Sequence, residues 1–162
     1  MLFRSTGEGL INDRNTIRSE PPDILLTNYK MLDQLLLRNA DQQLLAAAAT
    51  SLQYLVLDEF HTYDGAQGTD VAMLLRRLGL TLRRLRPVGS TEPAGTGPLG
   101  DVTPVATSAT LGDDGDPGRM LEFAETVFGI PFPADSVVRE TRQSMRQWVN
   151  GARQSGTPLG GR

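Results

Sequence analysis

Apolar and polar positions follow two different periods along this chain, and each change of period marks a predicted element. Short apolar runs at 23–27, 52–57 and 102–107 have the length of strands buried in a parallel sheet. Elsewhere apolar residues recur every three or four positions, which predicts helices at 29–38, 69–85 and 117–128. The alanine-rich stretch at 42–51 predicts a fourth helix through its high intrinsic propensity. Strands that alternate with helices indicate an α/β fold, with a parallel sheet covered by helices on both faces.

The helix predicted at 69–85 has the clearest apolar stripe of the four. Thr69 or Asp70 is the expected cap at its start. The stripe consists of six residues: Val71, Leu74, Leu75, Leu78, Leu82 and Leu85. Four arginines, at positions 76, 77, 83 and 84, lie off this stripe. We expect them to form a solvated outer face, with a phosphate-contacting patch as the alternative.

The segments between and around these elements set the expected domain boundaries. Residues 1–20 are polar and predict a poorly ordered approach to a domain at 21–142, and residues 143–162 predict a disordered tail. Residues 87–100 are rich in Gly, Pro and Thr, which is typical of a surface loop. Residues 136–140 are a candidate for a further short strand, and Pro117 and Gly129 are placed to start and stop the last helix.

Composition changes this picture little. The 162 residues carry a net charge of −3, with 39% hydrophobic and 22% charged residues, as in ordinary globular domains. The absence of cysteine excludes disulfides and thiolate metal sites. No apolar run has the length of a membrane span or a signal sequence, so we expect a cytoplasmic protein without a membrane partner.

Charged residues follow the predicted strand at 52–57 directly, as Asp58-Glu59-Phe60-His61. In open α/β sheets, ligands bind at the carboxyl ends of the strands. A first carboxylate, Asp58, could hold Mg²⁺ through water, and a second, Glu59, could orient the water that attacks a terminal phosphate. His61 is close enough in sequence to sense that site. A strand end with solvated acids is the alternative interpretation of the same four residues.

Polar residues also follow the other two predicted strands. Thr27-Asn28 ends the first, and Ser108-Ala109-Thr110 ends the third. In a parallel sheet these residues would share one edge with Asp58. Taken alone, Ser108-Ala109-Thr110 is equally a turn, and Thr27-Asn28 is also a helix cap, which does not exclude a binding role.

Read together, these strand ends resemble motifs of the superfamily 2 helicases of the DEAD/DEAH-box type. Asp58 to His61 resembles motif II, Ser108 to Thr110 resembles motif III, and Thr27-Asn28 resembles motif Ib. The longer stretch from Glu59 to Leu78 resembles the branch that contains bacterial DNA-repair and RecQ4-like helicases. The resemblance covers residues from about Pro21 to Glu140. Phe60 departs from the Ala or Leu more frequent at that position, and we expect its side chain to face the core.

The resemblance implies a RecA-like fold, ATP and Mg²⁺ as cofactors, and a nucleic-acid strand as partner, with DNA favoured over RNA. Asp58 would bind Mg²⁺ through water and Glu59 would position the hydrolytic water. His61, Ser108 and Thr110 would couple the nucleotide state to the grip on the nucleic acid. Thr27 and Asn28 would contact the backbone of a single strand, which positions it without reading its sequence.

No stretch of the chain matches a phosphate-binding loop, G-x-x-x-x-G-K-[ST]. Lys30, the only lysine, follows no glycine turn, and the glycines at 95–100 precede no lysine. The resemblance places that loop before the motifs found here and a second RecA-like domain after Arg142. We therefore expect a fragment of the first RecA-like domain that lacks the phosphate-loop strand, with an exposed edge at 102–107, marginal stability and negligible ATPase activity alone.

Three hypotheses stay open from the sequence. The chain is a fragment of an ATP-dependent helicase or translocase, or a non-enzymatic nucleic-acid-binding or regulatory module. In the third hypothesis it is one half of a split enzyme whose partner chain supplies the phosphate loop. The presence of Asp58, Glu59 and His61 together favours the first, because a module without hydrolysis has no physical need for all three.

Overall fold

A computed structural model of the chain describes residues 4–6, 9–11, 13–90, 95, 97–108, 116–138 and 145. The regular elements, in chain order, are β1 (Arg4–Thr6), β2 (Gly9–Ile11), α1 (Arg14–Ser19), α2 (Tyr29–Leu37), α3 (Gln42–Ser51), β3 (Tyr54–Leu57), α4 (Gly65–Leu85), β4 (Thr103–Ala106) and α5 (Pro117–Phe128). Short 3₁₀ turns lie at Asn39–Asp41, Phe60–Thr62 and Ala134–Ser136. None of the described helices is long and apolar enough to span a bilayer.

The two strands at the centre of the fold confirm the parallel sheet predicted from the sequence. β3 and β4 pair in parallel, with Tyr54 opposite Thr103 and Leu57 opposite Ala106. The pairing begins with a 2.8 Å hydrogen bond from the Thr103 amide to the Gln53 carbonyl. It runs past the end of both strands, where the Thr107 amide donates to the Leu57 carbonyl at 3.0 Å.

The strand predicted at 23–27 is wrong. Asp23 and Ile24 form a bend, and residues 25–28 have no regular secondary structure. Ile24 and Leu26 are 62% and 55% exposed, so this apolar run is not buried. A strand requires a neighbour that satisfies its backbone groups, and among the described strands β3 pairs with β4 alone. Composition and flanking prolines cannot show whether such a neighbour is present.

Only one face of the β3–β4 sheet is covered by the described helices. Leu55 and Leu57 pack against the core, whereas Tyr54 and Val56, on the opposite face, are 61% and 56% exposed. Successive side chains of a strand point to opposite faces, so this alternation reports a sheet with one open side. The prediction of helices on both faces is therefore wrong for the part of the chain described.

Helix α4 contributes more buried residues to the core on the covered face than any other described element. The apolar stripe predicted from its sequence is confirmed, since Val71, Leu75, Leu78 and Leu82 are at most 5% exposed. Phe60, which precedes this helix, is fully buried, as expected for a core-facing side chain. Its ring stacks on Phe128 at 5.7 Å and lies 4.9 Å from the Phe123 ring, which joins the strand end to α5.

Helix α4 begins at Gly65, with Asp64 at its cap position, and not at the predicted Thr69 or Asp70. The first turn contains few apolar residues, so periodicity does not reveal it. Gly68 lies in this turn against the Tyr63 carbonyl, and a Cβ built on it would be 2.3 Å from that oxygen. Only glycine allows the helix to start this close to the loop that follows β3.

The N-terminal residues are more regular than the predicted approach segment. β1 and β2 form an antiparallel hairpin. In α1, Ile17 is fully buried against Leu35 and Leu44, and Arg18 pairs with the buried Asp41 at 2.5 Å. A single buried residue in a polar sequence creates no periodic pattern, so the prediction missed this helix.

The loop predicted at 87–100 is partly buried where it is described. Leu99 is 7% exposed, and the Pro98 carbonyl lies so close to Gly79 that a Cβ there would be 1.9 Å away. At 136–138 the described backbone ends a 3₁₀ turn and forms no strand. Residues 139–140 and the predicted tail at 143–162, apart from Met145, lie outside the described residues. The remaining predicted helices are confirmed, with Pro117 at the start of α5 and Gly129, at φ 73°, at its end.

Phe60→Ala is expected to lower the free energy of unfolding by about 3–5 kcal/mol, because it removes the fully buried ring between the strand end and α5. Urea unfolding followed by circular dichroism measures this loss. Val56→Ala, on the open face of the same sheet, is the matched control and should cost less than about 1 kcal/mol. Equal losses in the two variants would contradict the central position of Phe60.

Candidate functional site

The ends of β3 and β4 bring two of the three predicted polar segments together. Asp58, directly after β3, accepts a hydrogen bond from the hydroxyl of Thr107, directly after β4. His61 Nδ1 lies 3.0 Å from the hydroxyl of Ser108. We call these five residues, Asp58, Glu59, His61, Thr107 and Ser108, the strand-end site. It forms because the parallel pairing places both carboxyl ends on one edge of the sheet.

The backbone of Glu59 separates the polar residues of the site from the core. Glu59 has φ 50° and ψ 45°, a left-handed conformation that is uncommon for a residue with a side chain. The turn leaves Asp58 and Glu59 exposed while Phe60 points inward. Thr62 stabilises the turn, because its amide and its hydroxyl both donate to the Glu59 carbonyl at 2.8 Å. Strained backbone of this kind is concentrated at functional sites in proteins.

His61 is the residue that contacts both halves of the site. Its Nδ1 is 3.5 Å from Glu59 Oε2 and 3.0 Å from Ser108 Oγ. The imidazole is 29% exposed, so solvent reaches the ring while the backbone turn holds it in place. This side chain therefore links the acidic turn to the end of β4, in addition to the hydrogen bond between Thr107 and Asp58.

Tyr63 lies beside the site and is sensitive to its charge. Burial raises the pKa of the Tyr63 phenol, and the negative charge of Asp58 and the nearby Tyr29 raise it further. The Tyr63 ring contacts the Tyr29 ring edge-on at 6.5 Å and the Phe60 ring at 6.3 Å. This contact connects the loop after β3 with the start of α2.

Thr27 and Asn28, predicted to contact nucleic acid, are placed at the start of α2. The Asn28 side chain accepts a 2.8 Å hydrogen bond from the Met31 amide and so caps the helix. Thr27 is exposed, and its hydroxyl donates to the Asn28 carbonyl at 3.4 Å. The cap, which was the alternative interpretation, is therefore present, and it leaves the surface of both residues accessible. Thr110 lies outside the described residues.

The chemistry of the site fits a magnesium ion that is held mostly by water and phosphate. Among the described residues, no group of three or more His, Asp or Glu side chains could hold a metal. Mg²⁺ keeps several waters and is usually bound through one or two carboxylates together with substrate phosphates. The exposed Asp58 carboxylate meets that requirement.

Arg77, Arg83 and Arg84 are exposed, as expected for a solvated outer face, and Arg76 is half-buried. Arg76 donates to the carbonyls of Thr126 and Val127 in the last turn of α5, and Arg83 donates to the Gly97 carbonyl at 2.8 Å. Arg77 pairs with Asp33 of α2 at 2.7 Å. Three of these four side chains therefore also connect α4 to neighbouring segments.

Sequence reasoning missed Thr107 and Tyr63 as members of the site region. Thr107 directly precedes Ser108, but its contact with Asp58 depends on the register between β3 and β4. Tyr63 lies within the stretch that resembles the helicase branch, but the resemblance assigned it no role, and its proximity to Asp58 arises from the 3₁₀ turn at Phe60–Thr62. If Leu57 is assumed to pair with Ala106, the next residues along the two strands are Asp58 and Thr107, so that assumption would have identified Thr107.

Comparison with known proteins gives a match to one family model and to distant relatives. The model of the DEAD/DEAH box helicase family matches residues 3–115. Druantia protein DruE of Escherichia coli (strain UMEA 4076-1) is 32% identical over 142 residues, which cover 81% of this chain and 7% of the relative. The uncharacterized ATP-dependent helicase MJ1574 of Methanocaldococcus jannaschii is 34% identical over 80 residues, or 49% of this chain and 11% of the relative. No solved structure matches the chain.

The raised pKa of Tyr63 predicts a loss of stability in alkali. The phenol ionises above its ordinary value of 10.0 in the folded state, so the unfolded chain releases this proton first. The contribution of the neutral Tyr63 phenol to stability is complete below its pKa in the unfolded chain and is lost as the pH rises through its pKa in the folded state. Urea unfolding at about pH 9 and about pH 11 measures the loss.

Tyr63→Phe should reduce that alkaline loss, and Tyr54→Phe, at an exposed tyrosine, should retain it in full. Asp58→Asn should lower the pKa of Tyr63, followed by tyrosinate absorbance, because it removes the neighbouring negative charge. An unchanged Tyr63 titration in Asp58→Asn would show that the charge of Asp58 does not reach the phenol.

Proposed function

The chain belongs to the DEAD/DEAH box helicase family, which implies a RecA-like fold and ATP as a cofactor of the family, and from this premise we propose a role for the strand-end site. In this proposal, the site handles the metal and the water in ATP hydrolysis that drives movement along a nucleic-acid strand. The observation that carries it is the contact of His61 with Ser108, which joins the two strand ends at one edge.

Each residue of the site has a chemical role in the proposal. Mg²⁺, when bound with ATP, would offset charge on the phosphate oxygens. Asp58, exposed at the end of β3, would hold the cation by accepting hydrogen bonds from its bound waters. Glu59 orients the attacking water and accepts its proton. His61 transmits the position of Glu59 to Ser108, since its Nδ1 is 3.5 Å from one and 3.0 Å from the other.

The grip on nucleic acid is proposed for the start of α2. The exposed Thr27 and Asn28 lie at a helix N-terminus, where the positive end of the helix dipole favours phosphate. Contacts there would bind the sugar–phosphate backbone of a single strand, preferably DNA, without reading its sequence. Tyr29 follows Asn28 and contacts Tyr63, which gives the two proposed sites a shared neighbour.

The chain spans 7% of the length of DruE and 11% of the length of MJ1574. Because the matches cover so little of these relatives, ATP-driven translocation or unwinding is a proposal and does not follow from the comparison alone. The residues described here would contribute the water- and metal-handling corner, and the residues that hold the phosphates would be supplied from outside the described part.

Manganese in complex with ATP tests the site directly. Mn²⁺ replaces Mg²⁺ and broadens NMR signals of nearby nuclei, which detects binding even when it is weak. In ¹⁵N-labelled protein we expect broadening of the amides of Asp58, Glu59 and Thr107 that requires both Mn²⁺ and ATP. In Asp58→Asn, the apparent affinity measured from this broadening should fall by about tenfold, because the carboxylate that attracts the hydrated cation is lost.

Asp70→Asn is the matched control for this experiment, since Asp70 is exposed on α4 and outside the site. Its broadening should equal that of the unsubstituted chain. Broadening that is independent of ATP, or that is unchanged in Asp58→Asn, would overturn the assignment. If the chain binds single-stranded nucleic acid but shows no broadening with Mn²⁺ and ATP, the hypothesis of a non-enzymatic nucleic-acid-binding module is favoured.

Asn28→Asp tests the nucleic-acid contact without removing the helix cap. Aspartate caps as well as asparagine, so α2 should remain folded, whereas its negative charge repels phosphate. We expect the affinity for a labelled single-stranded DNA, measured by fluorescence anisotropy, to fall by about tenfold. Asn28→Ser keeps a cap without charge and should bind nearly as well as asparagine. Equal binding by the aspartate and serine variants would exclude phosphate contact at Asn28, and an RNA of the same sequence measures the preference for DNA.

A further inference from the structure

Thr107 is fixed to the loop after β3 by three hydrogen bonds from three different groups. Its amide donates to the Leu57 carbonyl at 3.0 Å, and its carbonyl accepts from the Phe60 amide at 2.8 Å. Its hydroxyl donates to Asp58 Oδ1. The two backbone bonds flank Asp58 and Glu59 on either side, so Thr107 holds the acidic turn from both ends.

The hydroxyl bond has a different consequence from the two backbone bonds. Asp58 is exposed, so its short side chain could otherwise change rotamer freely in water. A hydrogen bond to a carboxylate is among the stronger hydrogen bonds in proteins, and here it engages one of the two oxygens. The other carboxylate oxygen then has a fixed position relative to the end of the sheet.

We propose that Thr107 is a positioning residue for Asp58. The Thr107 hydroxyl holds one oxygen of the Asp58 carboxylate and leaves the other oxygen for the hydrated cation of Mg–ATP. The role toward the cation rests on the proposed function of the strand-end site, whereas the positioning of Asp58 rests on the three hydrogen bonds of Thr107. Partners that orient a metal-binding side chain commonly change metal affinity by about 10- to 100-fold when they are replaced.

The substitution Thr107→Val removes the hydroxyl and keeps the size and the branched shape of the side chain. The two backbone bonds of Thr107 do not involve its side chain, so β4 should keep its register in this variant. Thr107→Ser keeps the hydroxyl and should restore the wild-type behaviour. Thr103→Val, at the exposed start of the same strand, controls for the general effect of the substitution.

The first measurement uses the 162-residue chain without ligand. Three-bond NMR couplings to the Asp58 carboxyl carbon report whether this side chain has one rotamer or several. We expect one rotamer in the unsubstituted chain, in Thr107→Ser and in Thr103→Val, and averaging over several in Thr107→Val. A single, unchanged Asp58 rotamer in Thr107→Val would overturn the positioning role.

The second measurement repeats the titration with Mn²⁺ and ATP in the same variants. The apparent affinity should fall about tenfold in Thr107→Val and stay near the wild-type value in Thr107→Ser. If wild-type chain shows no broadening at Asp58, the proposed function of the site fails, while the rotamer result still decides the role of Thr107. Wild-type affinity in Thr107→Val together with a mobile Asp58 would show that the hydroxyl orients the carboxylate without serving the cation, which also overturns the proposal.

Discussion

The hydrogen bonds that extend the β3–β4 pairing to Thr107 are the constraint on which the site depends. The pairing could have ended with Leu57 and Ala106, but one more amide bond reaches Thr107, and the Thr107 carbonyl then binds the Phe60 amide. These two bonds force the chain between them into a tight turn. Asp58 and Glu59 occupy that turn and face solvent, while Phe60 is driven into the core.

Phe60 connects this local turn to the aromatic side chains of the core. Its ring contacts Phe123 and Phe128 of α5 and the ring of Tyr63, which in turn contacts Tyr29 at the start of α2. Close-packed rings transmit displacement because they have little free volume to absorb it. The strand-end site and the proposed nucleic-acid contact at the start of α2 are therefore connected by a short chain of packed rings.

The open face of the sheet contrasts with this packed side. Tyr54 and Val56 expose apolar surface, and β3 and β4 each have one edge without a described partner strand. Such edges are templates for pairing with other strands.

The sequence by itself determined the helices α2 to α5 to within a few residues, the two paired strands and the burial of Phe60. Apolar periodicity and end signals such as Pro117 and Gly129 are local, so they can be read along the chain. It also identified Asp58, Glu59, His61 and Ser108 as candidates, because they follow predicted strands. Only the tertiary structure decided that residues 23–27 have no partner strand, that one sheet face is open, and that Thr107 and Tyr63 adjoin Asp58. Those features depend on register and on contacts between residues far apart in the chain, and no local pattern encodes them.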